Sequence, residues 1–155
     1  MALQQTEKLH HLYTLYLFTK SDIKTVIFPQ IVFAISSAFT GGFRAPDEIR
    51  DQGQGFAFAA LAKAALWVWV TLLVENVANQ RLPGSILEDS KNKPWRPFPS
   101  KRVTSREGQQ YLLILLPCAL VTGVLVGASR ETNTFVALVW MYNDLDGANT
   151  SESRQ

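Results

Sequence analysis

The chain is nearly without cysteine and histidine, and each shortage removes a class of function. A single cysteine, Cys118, excludes an internal disulfide framework and any cysteine-based zinc cage. The two histidines, His10 and His11, exclude a zincin motif and most histidine-centred catalysis. Being adjacent, they do not share a helix face, which argues against a metal site there. Charge is sparse too: 18% of residues are charged against 47% apolar. The net charge of +2 is too small to argue for nucleic acid. Strict alternation of apolar and polar residues is nowhere sustained, so half-buried strands have no pattern to form on. No internal repeat or low-complexity stretch is visible, and Gly41-Gly42 and Gly53-Gln54-Gly55 lack the following basic residue of a phosphate cradle. Chemistry, if any, must run on carboxylates, amides, arginine and lysine.

What the chain does have is long apolar blocks separated by charged ones. Its 155 residues would make one ordinary domain in water. The blocks point elsewhere, because a helix crosses a bilayer core with roughly 20 mostly apolar residues. Spans are expected at about 23–39, 56–79, 110–128 and 134–145. The first is broken by Lys24, Pro29, Gln30 and the Ser36-Ser37 pair. The second has Lys63 near its start, where the stem can snorkel to the membrane surface. The third has no charge from Tyr111 to Ala128, and the fourth is too short alone to span. Mean hydropathy is only +0.04 because polar loops dilute the spans. The expected class is all-α, a multi-pass transmembrane helical bundle over 23–142.

Loop charges predict the orientation. The stretch from Glu75 to Gln110 carries seven basic residues (Arg81, Lys91, Lys93, Arg96, Lys101, Arg102, Arg106) against four acidic ones. The positive-inside rule places it, and hence the loop 80–109, on the cytoplasmic side. The N-terminus and the tail 143–155 then lie on the same side, and the short loop 129–133 on the other. Residues 1–22 do not read as a cleavable signal, since Glu7 comes early and no compact apolar region follows. Leu9, Leu12, Tyr13, Tyr16 and Leu17 keep helical spacing, which fits an amphipathic helix on the membrane surface or a helix facing the bundle. Asn149-Thr150-Ser151 fits a glycosylation pattern but falls on the cytoplasmic side of this topology. Gly123 and Gly127 form a GxxxG in the third span, expected to serve packing within the bundle, and Pro117 is expected to kink that span. Trp67, Trp69 and Trp140 read as packing or interface residues.

The informative stretch is 75–106. Glu75 and Asn79 lie four apart and share a helix face, with Asn76 on the next ridge. Pro83 and Gly84 are expected to end that helix. Glu88-Asp89 follow, then Lys91, Lys93, Arg96, Lys101 and Arg102. Carboxylate and amide oxygens suit a hard cation such as Mg²⁺, and lysine and arginine beside them suit phosphate oxygens. Together at a membrane face they fit a metal-bridged diphosphate, or an ordinary basic cytoplasmic loop.

Asn79-Gln80, Glu88-Asp89 and Asn92-Lys93-Pro94-Trp95-Arg96-Pro97-Phe98-Pro99-Ser100 together resemble the loop of UbiA-type intramembrane prenyltransferases. In that superfamily an asparagine opens an aspartate-rich motif at the end of the second helix, and Arg-Pro, an apolar residue, Pro and Ser close the loop. Ser21-Asp22-Ile23-Lys24 looks like the family's entry to its first helix, and Met141-Tyr142-Asn143-Asp144-Leu145 resembles a stretch of a fungal group. The positions where the family carries aspartates after the asparagine are Gln80, Pro83 and Leu87 here, so Glu88 and Asp89 are the substitute acids. A basic position of the family is Asp146. The resemblance covers the N-terminal half of the family's fold, a helical barrel whose second acidic motif lies past the fourth helix.

The resemblance implies a membrane enzyme that uses Mg²⁺ to transfer a prenyl group from a prenyl diphosphate to a small aromatic acceptor. It also admits a terpene cyclase, or a shortened, inactive membrane protein needing partner helices to complete the barrel. It implies Asn79, Glu88 and Asp89 as metal ligands, Lys93 and Arg96 as diphosphate ligands, and Arg81 and Asp144 as weaker candidates.

Overall fold

A computed structural model describes residues 2–39 and 54–145, and among these every regular element is a helix. The expected loop 41–55, most of the tail, Asp146 and Asn149-Thr150-Ser151 lie outside the described residues, except for Gln54 and Gly55, which begin a helix. Helix α1 is Ala2–Thr19, α2 Phe28–Phe39, α3 Gln54–Gln80, α4 Pro83–Asn92, α5 Ser105–Val126 and α6 Ser129–Asp144. A π-helical turn, Ile23–Ile27, leads directly into α2. Pro29 explains its place. Proline has no N–H for the preceding turn, and a widened turn absorbs the mismatch. The amides of Val26 and Ile27 both donate to the Asp22 carbonyl, at 2.8 and 3.1 Å.

Helix α3 is the hub and packs against α1, α2, α4, α5 and α6. Its direction relative to α6 follows from two side-chain contacts. Trp67 Nε1, midway along α3, donates to Thr132 Oγ1 in the first turn of α6 at 2.8 Å, and Arg81, just past the end of α3, pairs with Asp144 at the end of α6. The two helices therefore run parallel, and α5 returns between them through the two-residue turn Gly127–Ala128. Gly127 closes α5 in the left-handed region at φ 79°, which favours glycine. The expected loop 129–133 is thus the first turn of α6.

Close approach explains the other glycine of the GxxxG. A Cβ on Gly123 would collide with the side chain of Thr132, which is fully buried and bonded to both Trp67 and the Ala128 carbonyl. Gly123→Val is accordingly expected to force α5 and α6 apart. The expected cost is about 1–3 kcal/mol from overpacking, read as a lowered Tm in detergent by tryptophan fluorescence. An unchanged Tm would show that the two helices do not meet there.

Two helices are long and apolar enough to cross a membrane, Phe58–Gln80 and Ser105–Val126. Only 28% and 17% of these windows is buried, less than the core helix of a soluble protein buries. Leu113, Ile114, Val121, Val124 and Leu125 of α5 face outward, as do Leu138, Trp140 and Met141 of α6. Ile23–Ser37 is apolar but shorter, and α6 has only 16 residues.

The packed core lies at one end of the bundle. Phe18, Leu73, Val74, Val77, Phe98, Val103, Leu115 and Ala119 form it. Helix α1 docks here through Thr14, Leu17 and Phe18, while Leu9, Leu12, Tyr13 and Tyr16 point away. The buried face agrees with the reading of a helix facing the bundle, and the opposite face leaves an apolar stripe exposed.

Candidate functional site

The polar residues singled out in the sequence gather at the core end. The last two turns of α3 carry Glu75, Asn76, Asn79 and Gln80, and Arg81 follows directly. Spacing by four puts Asn76 and Gln80 on one face, and Gln80 Nε2 donates to Asn76 Oδ1 at 2.7 Å. The same nitrogen donates to the Phe18 carbonyl at 3.0 Å, tying the end of α3 to the end of α1. Gln80 is only 1% exposed and forms a buried amide clamp. On the neighbouring ridge Glu75 lies within electrostatic reach of Asn79, Asp22 and Arg96.

Pro83 does not simply end α3. It is the first residue of α4, a position where its missing N–H costs nothing. Ser85 Oγ on this short helix donates to Asn79 Oδ1 at 3.0 Å. Four residues later Asp89 points inward and Glu88 outward. Both Asp89 oxygens accept from Arg96 Nη1, at 3.0 and 2.7 Å, in a pair that is buried on both sides. Asp89 and Arg96, assigned from the sequence to metal and to diphosphate, are therefore partners of each other. Lys93 sits half-buried on the turn between them.

The segment after Arg96 is held rigidly. Ser100 N donates to the Arg96 carbonyl, and the amides of Arg102 and Val103 donate to the Pro97 carbonyl, at 2.9–3.1 Å. Phe98 drives into the core, edge-on to Phe18 with centroids 5.7 Å apart and against Gly108. Arg102 anchors the far side on α1 through Thr14 Oγ1 at 2.7 Å and the His10 carbonyl at 3.0 Å, above the Tyr13 ring. Thr104 and Glu107 then form a capping box that starts α5. His10 and His11 hydrogen-bond different neighbours, Arg102 and Tyr111, and their rings meet edge-on with centroids 5.8 Å apart. The weaker candidates Arg81 and Asp144 pair with each other and close the ends of α3 and α6.

Six buried side-chain polar atoms among the described residues lack a partner: Ser21 Oγ, Asp22 Oδ2, Gln80 Oε1, Arg81 Nε, Arg96 Nε and Asn143 Oδ1. All belong to this one end. Native proteins satisfy most such atoms, so their concentration marks a place where a polar ligand or water belongs. Acceptors and donors are both present, which suits a cation and an anion together. As a cation cage the sequence-assigned set is incomplete. Asp89 is occupied by Arg96, Glu88 is exposed, and no cluster of three acidic, histidine or cysteine side chains occurs among the described residues. Glu75, Asn79 and Asp22 carry further hard oxygens at this end. Of these, Asp22 was legible only as an element of the first-helix entry motif.

The chain is 32% identical over 131 residues to the fumagillin beta-trans-bergamotene synthase of Aspergillus fumigatus. The match takes in 84% of this chain and 39% of that protein, so the chain spans about two fifths of its relative's length. No protein-family model and no solved structure matches the chain.

Proposed function

We propose that this chain is part of a UbiA-type membrane enzyme that ionises a prenyl diphosphate at the polar end of the bundle. The observation that carries the reading is Arg96. It is buried, positioned by Asp89, and still has an unpartnered Nε at the end where the other unpartnered polar atoms collect. Similarity to a protein named as a terpene synthase supports the same reading. So do two apolar helices that carry the site-bearing segments.

In this reaction the allylic C–O bond breaks and its electron pair leaves with the diphosphate. Arg96 and Lys93 stabilise the departing negative charge by charge-assisted hydrogen bonds. Mg²⁺, when bound, would neutralise further diphosphate charge. Asn79, Glu88 and Asp89 remain the sequence-assigned ligands, with Asp89 acting in this arrangement as a positioning residue for Arg96. The allylic cation is then captured by a π bond and a proton is lost. The name of the relative favours a double bond of the same molecule, that is cyclisation, over an aromatic acceptor. The positive-inside topology puts this end and the N-terminus at the cytoplasmic face. The outward apolar faces of α5 and α6 would meet lipid or the helices that complete a barrel.

The test is to incubate the detergent-purified protein with farnesyl diphosphate and Mg²⁺, with and without a phenolic acceptor, and to analyse products and binding. A hydrocarbon from donor alone is the result expected for cyclisation. A prenylated phenol only when acceptor is present would move the assignment to transfer. Absence of saturable donor binding would sink the reading.

A further inference from the structure

We propose that the outward face of α1 seats in the headgroup layer of an anionic membrane leaflet, at the end of the bundle where α3 finishes and α5 begins. This seating is independent of the proposed reaction and needs only that the two apolar helices cross a bilayer.

The height of α1 is fixed by its ties to both of those helices at the same end. The Phe18 carbonyl accepts from Gln80, the last residue of α3, at 3.0 Å. Arg102, just ahead of α5, donates to Thr14 Oγ1 and to the His10 carbonyl. His11 Nδ1 lies 2.7 Å from the Tyr111 hydroxyl, and Tyr111 opens the charge-free run that extends to Ala128. Thr19 Oγ1 reaches further in and accepts from Trp69 Nε1 at 3.3 Å, well inside α3. Helix α1 therefore crosses the level at which α5 passes from polar to apolar, with its C-terminal end the deeper one. A helix at that level lies in the membrane interface.

The chemistry of the outward face fits that level. Leu9, Leu12, Tyr13 and Tyr16 recur at helical spacing on the face turned away from the core, and Leu9 and Leu12 are 63% and 61% exposed. The Tyr13 and Tyr16 rings stack with centroids 6.0 Å apart. Tyrosine has an apolar ring and a polar tip, which suits the boundary of hydrocarbon and water. Cations border the stripe. The Arg102 guanidinium lies 4.9 Å from the centre of the Tyr13 ring, and the exposed Lys20 lies 5.5 Å from that of Trp95, itself an exposed aromatic. No acidic residue occurs between Leu9 and Ser21. Glu107, at the start of α5, has its carboxylate held by the Thr104 amide and hydroxyl. An apolar and aromatic stripe bordered by cations and free of acids complements anionic headgroups better than it complements a second apolar helix.

The test measures depth directly. In a Cys118→Ser background the full chain carries one nitroxide label, at Leu12→Cys or at Tyr16→Cys, and is reconstituted in vesicles of mixed phosphatidylcholine and phosphatidylglycerol. Electron paramagnetic resonance compares collisions of the label with oxygen, which enters hydrocarbon, and with a nickel chelate, which stays in water. Ser90→Cys on α4 and Val121→Cys on the outward face of α5 supply the water and hydrocarbon references. Both labels are expected roughly 5–10 Å inside the headgroup boundary, with an oxygen-to-nickel ratio at least about threefold above that of Ser90→Cys and below that of Val121→Cys. Tyr16→Cys should lie deeper than Leu12→Cys. In phosphatidylcholine alone the ratio should fall by about twofold or more as the cations lose their partner. Tryptophan-fluorescence melts should match the unlabelled chain, since neither side chain enters the core. Ratios equal to that of Ser90→Cys would overturn the proposal. So would shielding from both reagents, which would mean that a second copy or another helix covers the stripe. An unchanged depth in phosphatidylcholine alone would overturn the anionic preference.

Discussion

Removing one partner of the buried Asp89–Arg96 pair is expected to destabilise the protein by about 3–5 kcal/mol, because the survivor is left as an uncompensated buried charge. Asp89 is 5% exposed and Arg96 9%, so neither can turn to solvent without moving the loop. Asp89→Ala and Arg96→Ala should therefore both melt well below wild type. The double variant Asp89→Leu/Arg96→Met should recover much of the loss, since an apolar pair of similar volume has no desolvation cost. Donor binding separates structure from chemistry. The double variant, though folded, should bind farnesyl diphosphate no better than Arg96→Ala, whereas Asp89→Asn should retain partial binding because Arg96 is still present. Full donor binding by the folded double variant would mean that Arg96 is only a structural brace.

The second large effect is expected at Phe98. Its ring is 6% exposed, packs edge-on against Phe18 and occupies the space that a side chain at position 108 would need. Phe98→Ala should cost about 3–5 kcal/mol from lost burial and the cavity left behind. It should also loosen Arg96, two residues earlier on the same turn. Gly108 supplies an internal check. A Cβ there would lie 2.5 Å from Phe98 Cζ, so Gly108→Ala alone should destabilise. In the Phe98→Ala background the same methyl falls into the vacated space and should be neutral or stabilising. A double-mutant cycle by thermal melts would read this as a coupling of about 0.5–3 kcal/mol. Strict additivity would show that the two residues do not touch.

Arg96 and Phe98 also show how far local pattern reaches. The Arg96-Pro97-Phe98-Pro99-Ser100 run marked the site-bearing turn, and the turn is there, closed by amide bonds onto the Arg96 and Pro97 carbonyls. Which partner Arg96 takes was not legible. Asp89 is seven residues away, close enough to have been suspected, yet its neighbour Glu88 has the same chemistry. Only the helical phase of α4, started by Pro83, turns Asp89 inward and Glu88 out. The expectation that Pro83 ends a helix was half the story, since proline both stops α3 and opens α4. Similarly, Ser129 to Asn133 look like a polar loop, but a helix can begin on polar residues when its second turn is apolar, and α6 does.

Composition and periodicity alone pointed to an all-helical chain, and of the four spans they suggested, those at 56–79 and 110–128 are helices long and apolar enough to cross a membrane among the described residues. Both properties are local: an apolar run of sufficient length needs no knowledge of its neighbours. The meeting of distant residues was decided only by packing. Trp67 finds Thr132, Gln80 finds the Phe18 carbonyl, and Glu75 comes within reach of Asp22. These pairs lie more than fifty residues apart in the chain, and no spacing rule connects them. They meet because α3 is wrapped by five other helices, and the faces it offers them are set by its turn of 3.6 residues. That geometry gathers the unpartnered polar atoms at one end, which is why the site belongs to the fold rather than to the motif.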